Sequence, residues 1–202
     1  MQELFYEESA TVIDEKPAKR KYNTFKILSI IFYVLALLWF LFIFNFVSCY
    51  VTEGGVEKVN LIELIFCWAI LILILGTGIV FSIFKNKCYV DYDYTFISGS
   101  IRIAKVINQV RRRLVIKFDT VNIEKIGRCN SATYNRYSLI SGIKKKVLTQ
   151  NSIAGKDKGF YYIVANVEGE KYLLVLECTP LFISNILRYS YKYVIEEEFN
   201  KK

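Results

Sequence analysis

Two long stretches of the chain contain almost no charged side chains, and they constrain the fold more than any other feature of the sequence. Residues 27–50 are uncharged throughout, and residues 61–84 carry a single acid, Glu63. An α-helix rises about 1.5 Å per residue, so each stretch reaches about 36 Å, enough to cross a hydrocarbon core of about 30 Å. We therefore predict two transmembrane helices rather than two buried helices of a soluble protein.

The short connection between the two stretches predicts an antiparallel helical hairpin. Residues 1–26 carry five lysines and arginines, and Lys85 and Lys87 follow the second stretch, whereas Lys58 is the only base in residues 51–60. Positive charge is retained on the cytoplasmic side of a membrane. We therefore expect a multi-pass plasma-membrane protein with both termini in the cytoplasm. Two small residues on the second helix, Gly78 and Ser82, would allow the first helix to approach closely.

A cleaved signal peptide is the alternative interpretation of the first stretch. The 26 residues before it contain five acids, its apolar core is too long, and no cleavage site of small residues follows. Residues 46–49 have a weak similarity to a lipoprotein cleavage box, but Phe46 is a poor fit at the first position. We therefore expect the helix to be retained.

The polar remainder of the chain divides into a tail and one domain. Residues 1–26 balance five acids with five bases, show no periodicity and predict a flexible cytosolic tail. Residues 85–202 contain 21 bases and 11 acids, and they are the only segment long enough to bury a soluble core. The basic excess of the chain, whose formal net charge is +8, therefore lies in this cytosolic domain.

Alternation of apolar and polar residues predicts that this domain is mostly β-strand. In residues 88–96 the even positions are apolar, while Asp91, Asp93 and Thr95 alternate with them, as in a half-buried strand. The same reasoning predicts a loop over residues 128–142. It also predicts strands near residues 101–107, 114–118 and 146–151, a strand or a helical turn over residues 121–126, and a hairpin of residues 160–167 and 170–178.

The pattern changes to helical spacing after Thr179. Thr179 suits a helix N-cap and Pro180 suits the first helical position. The spacing of the apolar residues predicts an amphipathic helix over residues 180–198. Together these elements predict an α+β membrane protein: a transmembrane hairpin (27–84) and an antiparallel β domain, a barrel or sandwich of the pleckstrin-homology (PH) type, with a C-terminal helix. A single antiparallel sheet with a helix across one face is the alternative.

A series of short motifs supports this architecture by resemblance. After the hairpin come Tyr89-Val90-Asp91-Tyr92-Asp93-Tyr94, Arg111-Arg112-Arg113, Phe118-Asp119, Ile123-Glu124 and Leu176-Glu177-Cys178-Thr179-Pro180. In this order the chain resembles, over residues 21–195, a family of uncharacterised small two-span bacterial membrane proteins of the Firmicutes type with a C-terminal PH-like domain. The resemblance implies an architecture and a bacterial plasma membrane. It implies no activity.

Catalytic chemistry has little support in the sequence. The chain has no histidine, which excludes imidazole-based catalysis, and its five cysteines form no C-x-x-C pair. Asp91-Tyr92-Asp93 matches the D-x-D pattern of some glycosyltransferases, but a β-patterned segment of this size cannot supply the α/β domain those enzymes need. We expect a protein that is not an enzyme, with reduced thiols, no cofactor, no metal site and no catalytic residue.

Two basic triplets are the candidate functional residues. They are Arg111, Arg112 and Arg113, and Lys144, Lys145 and Lys146. Each base near an anionic leaflet contributes about 1 kcal/mol, and the attraction decays over about 10 Å. The triplets predict contact with anionic lipid headgroups or an acidic protein partner. Solvated turns that follow the positive-inside bias are the alternative. We expect no nucleic acid, because no nucleic-acid-binding motif accompanies the charge.

These observations predict a membrane-anchored binding or scaffold module that acts through a cytosolic PH-like domain. The alternative hypothesis is an accessory subunit of a transporter or envelope complex, in which the transmembrane hairpin contacts another membrane protein.

Overall fold

The computed structural model describes residues 4–46, 50–53, 56–59, 61–190 and 192–196. They form two compact units, one of Lys16–Tyr89 and the other of Met1–Glu15 together with Val90–Lys202. In chain order the elements are β1 (Phe5–Ala10), α1 (Glu15–Phe46), β2 (Tyr50–Glu53), β3 (Val56–Val59), α2 (Leu61–Cys88), β4 (Val90–Ile97), β5 (Ser100–Ile107), β6 (Arg111–Asp119), β7 (Ile123–Arg128), α3 (Ala132–Ser138), β8 (Lys144–Val147), β9 (Gly159–Val167), β10 (Glu170–Cys178) and α4 (Pro180–Tyr189).

The first unit contains the two apolar helices, α1 of 32 residues and α2 of 28 residues. Both are long and apolar enough to cross a membrane. Most of their large apolar side chains are exposed, so no protein core covers them. The two predicted spans are therefore confirmed as helices of a membrane-associated protein. The orientation across the membrane stays a prediction.

A close contact between α1 and α2 is centred on Gly78. A Cβ atom added there would lie 3.0 Å from Cε1 of Tyr33. The Ser29 hydroxyl donates a hydrogen bond of 3.1 Å to the Gly78 carbonyl. The close approach predicted at Gly78 is thus confirmed, and it uses a backbone acceptor that only a small residue leaves accessible.

The second unit is a sandwich of two four-stranded sheets. One sheet has the order β1-β4-β5-β6 and the other β7-β9-β10-β8. Neighbouring strands are antiparallel except for β8, which runs parallel to β10. The core lies between the sheets and under α4, and it includes the fully buried Tyr94, Phe96, Ile163 and Phe182. This confirms the PH-like β domain as an open sandwich rather than a closed barrel, and the single-sheet alternative is wrong.

Strand β1 replaces part of the predicted flexible tail. It pairs with β4 from Phe5 opposite Ile97 to Ala10 opposite Tyr92. The Glu8 carboxylate accepts hydrogen bonds of 2.8 Å from the backbone N–H and from the hydroxyl of Thr179. The helical hairpin is therefore an insertion between two neighbouring strands of the β domain.

The C-terminal helix is shorter than predicted. It ends at Tyr189, and Ser190 adopts an extended conformation. A 3₁₀ turn over Lys192–Val194 follows, and Ile195 then forms a β-bridge with Ile126. The prediction of a helix through residue 196 is wrong because the edge of β7 offers the backbone a competing partner. Residues 197 and 198 lie outside the described residues.

Two smaller differences concern the segment before β9. Residues 132–138, predicted as part of a loop, form α3, whose N-cap Ser131 accepts a hydrogen bond of 3.1 Å from the Tyr134 N–H. The strand predicted at residues 146–151 is β8, which begins and ends earlier. Residues 47–49, which include Cys49 and most of the weak lipoprotein box, lie outside the described residues.

The insertion predicts that the β domain folds without the hairpin but not without β1. A chain joining residues 1–14 to residues 90–202 through a short Gly-Ser linker retains β1 and every strand of the two four-stranded sheets. We expect it to be soluble and to unfold cooperatively on heating, as measured by circular dichroism. Residues 85–202 alone lack β1, so we expect a lower melting midpoint or no cooperative transition. Equal midpoints for the two chains would contradict an integral β1.

Candidate functional site

The hairpin between β5 and β6 presents a basic tip, defined as residues 108–113. Asn108 and Gln109 have positive φ angles of 50° and 59°, as in the tight two-residue turns that match the twist of paired strands. The next residue, Val110, is 82% exposed. The three arginines that follow it are exposed at the start of β6. The tip thus combines one apolar side chain with three cations.

The register of the sheet places the basic tip at the end of the sheet that the chain enters from α2. Val90 lies opposite Ile107, and Ile107 lies opposite Arg111. Neighbouring strands are about 4.8 Å apart, so Arg111 is about 10 Å from Val90 across the sheet. Only one residue separates Val90 from the end of α2 along the chain.

Two buried aspartates support the tip. Asp93 is 6% exposed, and its Oδ2 lies 3.2 Å from Nε of Arg112, which reaches across β5. Its Oδ1 accepts a hydrogen bond of 2.7 Å from the Ser9 hydroxyl on β1. Asp91 is 5% exposed and accepts a hydrogen bond of 2.9 Å from the Val12 N–H. The two aspartates therefore hold β1 and the segment after it in place. The Arg112 side chain is 71% exposed, and its ion pair with Asp93 lacks the geometry of a hydrogen bond. Asp91 and Asp93 are not the solvated polar positions that alternation predicts.

Burial raises the pKa of the Asp91 carboxyl. The Val12 N–H opposes the shift by stabilising the carboxylate, whereas the negative charges of Glu15 and Asp93 reinforce it. The ionised form of Asp91 is thus less favourable in the folded chain than in water.

The second basic triplet is engaged within the domain. Nζ of Lys144 lies 2.5 and 2.6 Å from the two carboxylate oxygens of Glu170, which raises the pKa of Lys144 and lowers that of Glu170. Nζ of Lys146 lies 4.5 Å from the ring centre of Tyr172. Lys145 lies over the ring of Tyr134, 5.2 Å from its centre.

The two triplets do not form one site. Arg111, Arg112 and Arg113 begin the edge strand of the first sheet, whereas the lysines occupy the edge strand β8 of the second. Among the described residues, Arg111 and Arg113 have no ion-pair partner, whereas Lys144 pairs with Glu170. The basic tip is therefore the stronger of the two candidate sites.

A cavity of about 580 Å³ lies beside the start of α4, at a place where sequence reasoning predicted no site. Its wall combines loop residues with the end of β7 and the starts of β9 and α4, which are distant in the chain. Of its two cations, Lys158 is held by the Ser9 carbonyl and by Glu8. Burial raises the pKa of the Cys129 thiol to about 12, so this thiol is a poor nucleophile. The lining residues are Arg128, Cys129, Asn130, Asp157, Lys158, Gly159, Phe160, Tyr161 and Pro180.

The other described cysteines, Cys67, Cys88 and Cys178, are free thiols like Cys129. Burial also raises the pKa of Cys178 well above its usual value.

Comparisons with known proteins agree with the architecture. A family model described as "Bacterial PH-like domain (DUF6106)" matches residues 2–196, nearly the whole chain. No curated protein and no solved structure gives a significant match.

The raised pKa of Asp91 predicts a pH-dependent cost to stability. The folded chain binds the Asp91 proton more tightly than the unfolded chain, so the cost is present above the folded pKa and disappears as the pH falls through it. We expect Asp91→Asn, which keeps an acceptor for the Val12 N–H, to raise the melting midpoint at pH 7. Its advantage over the native chain should shrink as the solution is acidified.

The matched control is Asp119→Asn, because Asp119 is exposed and its side chain caps nothing. We expect its free energy of unfolding to change by no more than about 0.5 kcal/mol, so its melting midpoint should stay nearly the same. An Asp91→Asn chain less stable than the native chain at pH 7, with an unchanged control, would contradict the raised pKa of Asp91.

Proposed function

The chain belongs to the bacterial PH-like domain family, and from that premise we propose that it is a membrane-anchored, non-enzymatic binding module whose cytosolic β domain contacts the anionic inner leaflet through its basic tip. The observation that carries the proposal is the register that aligns Val90, Ile107 and Arg111 at one end of the sheet. That end is the one to which the membrane helices are joined.

The connections to the helices are too short to let the domain move far from the bilayer. Residues 11–14 join β1 to α1, and four residues span at most about 14 Å. Tyr89 alone joins α2 to β4. Because Ala10 lies opposite Tyr92, both connections leave the same end of two neighbouring strands. A double tether of this kind favours an orientation in which the Val90 end faces the lipid.

The charges of the tip suit an anionic surface. Within the described part of the chain, neither Arg111 nor Arg113 has an ion-pair partner, whereas Arg112 pairs with Asp93. Each free base contributes about 1 kcal/mol near such a surface. The exposed Val110 between the turn and the arginines adds an apolar side chain that can enter the interfacial region.

Amide hydrogen exchange of the full chain in nanodiscs tests this proposal. We expect residues 107–114 to exchange at least about tenfold more slowly in discs with 30% anionic lipid than in neutral discs, because two free arginines contribute about 2 kcal/mol. The protection should disappear in 0.5 M salt, where the Debye length is well below 10 Å. Replacing Arg111, Arg112 and Arg113 by alanine should abolish it.

The lysine triplet provides a control with the same change in charge. Replacing Lys144, Lys145 and Lys146 by alanine should leave the protection of residues 107–114 intact, because these lysines lie on β8 and contact groups within the domain. Exchange that is independent of lipid charge, or an equal loss of protection in both triple variants, would refute the lipid contact.

The accessory-subunit hypothesis stays a prediction. The exposed apolar side chains of α1 and α2 suit lipid and a helical partner equally well. Purification of the intact chain after gentle solubilisation distinguishes helices that face only lipid from helices that bind another membrane protein. A stoichiometric membrane-protein companion, lost on substitution of exposed α2 residues such as Ile72 and Leu73, would support a subunit role, whereas a chain that purifies alone would contradict it.

A further inference from the structure

The outer edge of β7 is covered by the C-terminal segment of the chain. The Glu196 N–H donates a hydrogen bond of 3.0 Å to the Ile126 carbonyl, and Ile195 forms a parallel bridge with Ile126. Nζ of Lys125 donates a hydrogen bond of 3.2 Å to the Tyr193 carbonyl. Strand β7 is the first strand of its sheet, so without this segment its outer backbone groups would be open to an added strand.

Two side chains of this segment, Val194 and Glu196, enter the domain. Each is 4% exposed, and Val194 belongs to the core between the sheets. The Glu196 carboxylate lies directly over Gly127, where an added Cβ would collide with it and would lie 2.8 Å from the Tyr162 ring. The φ angle of Gly127 is not positive, so the glycine provides space rather than an unusual backbone conformation. The edge therefore has an apolar site and a site for an acidic side chain, two positions apart.

The docked segment satisfies this edge incompletely. Oε1 of the buried Glu196 carboxylate lacks a hydrogen-bond partner among the described residues. The hydroxyl of the buried Tyr162 faces the Glu196 carboxylate and Ser131, but neither contact has the geometry of a hydrogen bond. Burial and the neighbouring Glu196 carboxylate raise the pKa of Tyr162. A buried polar group without a partner is unfavourable, and the one bridge found among the described residues of this segment gives few backbone hydrogen bonds. A longer strand with better-placed groups would therefore bind this edge more favourably.

We propose that the edge of β7 is a docking site for an extended segment of a partner protein, and that residues 193–196 occupy it as an intramolecular substitute. The fitting segment runs parallel to β7 and carries an apolar side chain two positions before an acidic one, as Val194 and Glu196 do. Addition of a strand to a sheet edge requires a polypeptide backbone, which identifies the ligand as a protein segment. The site lies in the second sheet and is separate from the basic tip.

A peptide that copies residues 190–196 is the probe, and its binding is measured by fluorescence anisotropy. The receptor is the full chain in neutral nanodiscs, so a failure of lipid contact cannot affect the result. In the Glu196→Lys variant the chain's own segment no longer fits the acidic site, and the edge becomes open. We expect this variant to bind the peptide at least tenfold more tightly than the native chain does. A peptide with alanine at the position of Glu196 should bind at least tenfold more weakly.

Matched glycine substitutions locate the site. Adding Gly127→Ala to Glu196→Lys should remove binding, because the new Cβ occupies the place of the acidic side chain. Adding Gly142→Ala instead should preserve it, because no atom lies within 4 Å of a Cβ at Gly142. Equal binding by the two double variants would overturn the proposal. So would a Glu196→Lys chain that keeps the native melting curve and does not bind the peptide.

The native chain provides a test that needs no substitution. Excess peptide, made with Gln in place of Lys192 so that trypsin does not cleave it, should displace the C-terminal segment and at least triple the rate of tryptic cleavage of the chain after Lys192. Cleavage at an unchanged rate with up to 1 mM peptide would show that the segment is a permanent part of the fold, and it would overturn the proposal even if the variants fail to fold.

Discussion

The antiparallel pairing of β1 with β4 is the constraint on which the rest of the structure depends. These strands are neighbours in the sheet, yet the whole transmembrane hairpin lies between them in the chain. The entropic cost of closing a loop rises only with the logarithm of its length, so a long insertion between paired strands is tolerated. The Glu8 carboxylate, bonded to the N-cap of α4, further secures β1 against the rest of the domain. The two membrane helices therefore act as a double tether on one end of one sheet.

This constraint is the basis on which we propose a lipid contact for charges that would otherwise be ordinary surface residues. Because β4, β5 and β6 are consecutive in the sheet, the turn between β5 and β6 returns to the end at which the helices are attached. Arg112 forms an ion pair with Asp93, and in our proposal the two flanking arginines are the ones that contact lipid. The lysines on β8 have similar charge, but they are neutralised or stacked within the domain. Position in the sheet, not the number of bases, separates the two triplets.

Sequence patterns predicted the spans and most strands because length and side-chain periodicity determine them locally. They failed where a partner distant in the chain decides the outcome. Strand β1 is short and rich in acids, and its partner lies beyond the hairpin. Asp91 is buried because the segment after β1 covers it, which alternation within β4 cannot reveal. The apolar spacing at Tyr193 and Val194 continues that of α4, but the edge of β7 takes the backbone instead.

The most direct test of the orientation uses a nitroxide label just before β6, at Val110→Cys, or at its last residue, at Asp119→Cys. Each label is placed in a full chain that is free of other cysteines and held in anionic nanodiscs. The two sites are nine residues apart, which corresponds to about 30 Å at about 3.3 Å per residue of extended chain. A gadolinium ion chelated to a lipid headgroup should strongly enhance relaxation of the label at position 110 and leave the label at position 119 almost unchanged. Equal enhancement, or stronger enhancement at position 119, would contradict the account.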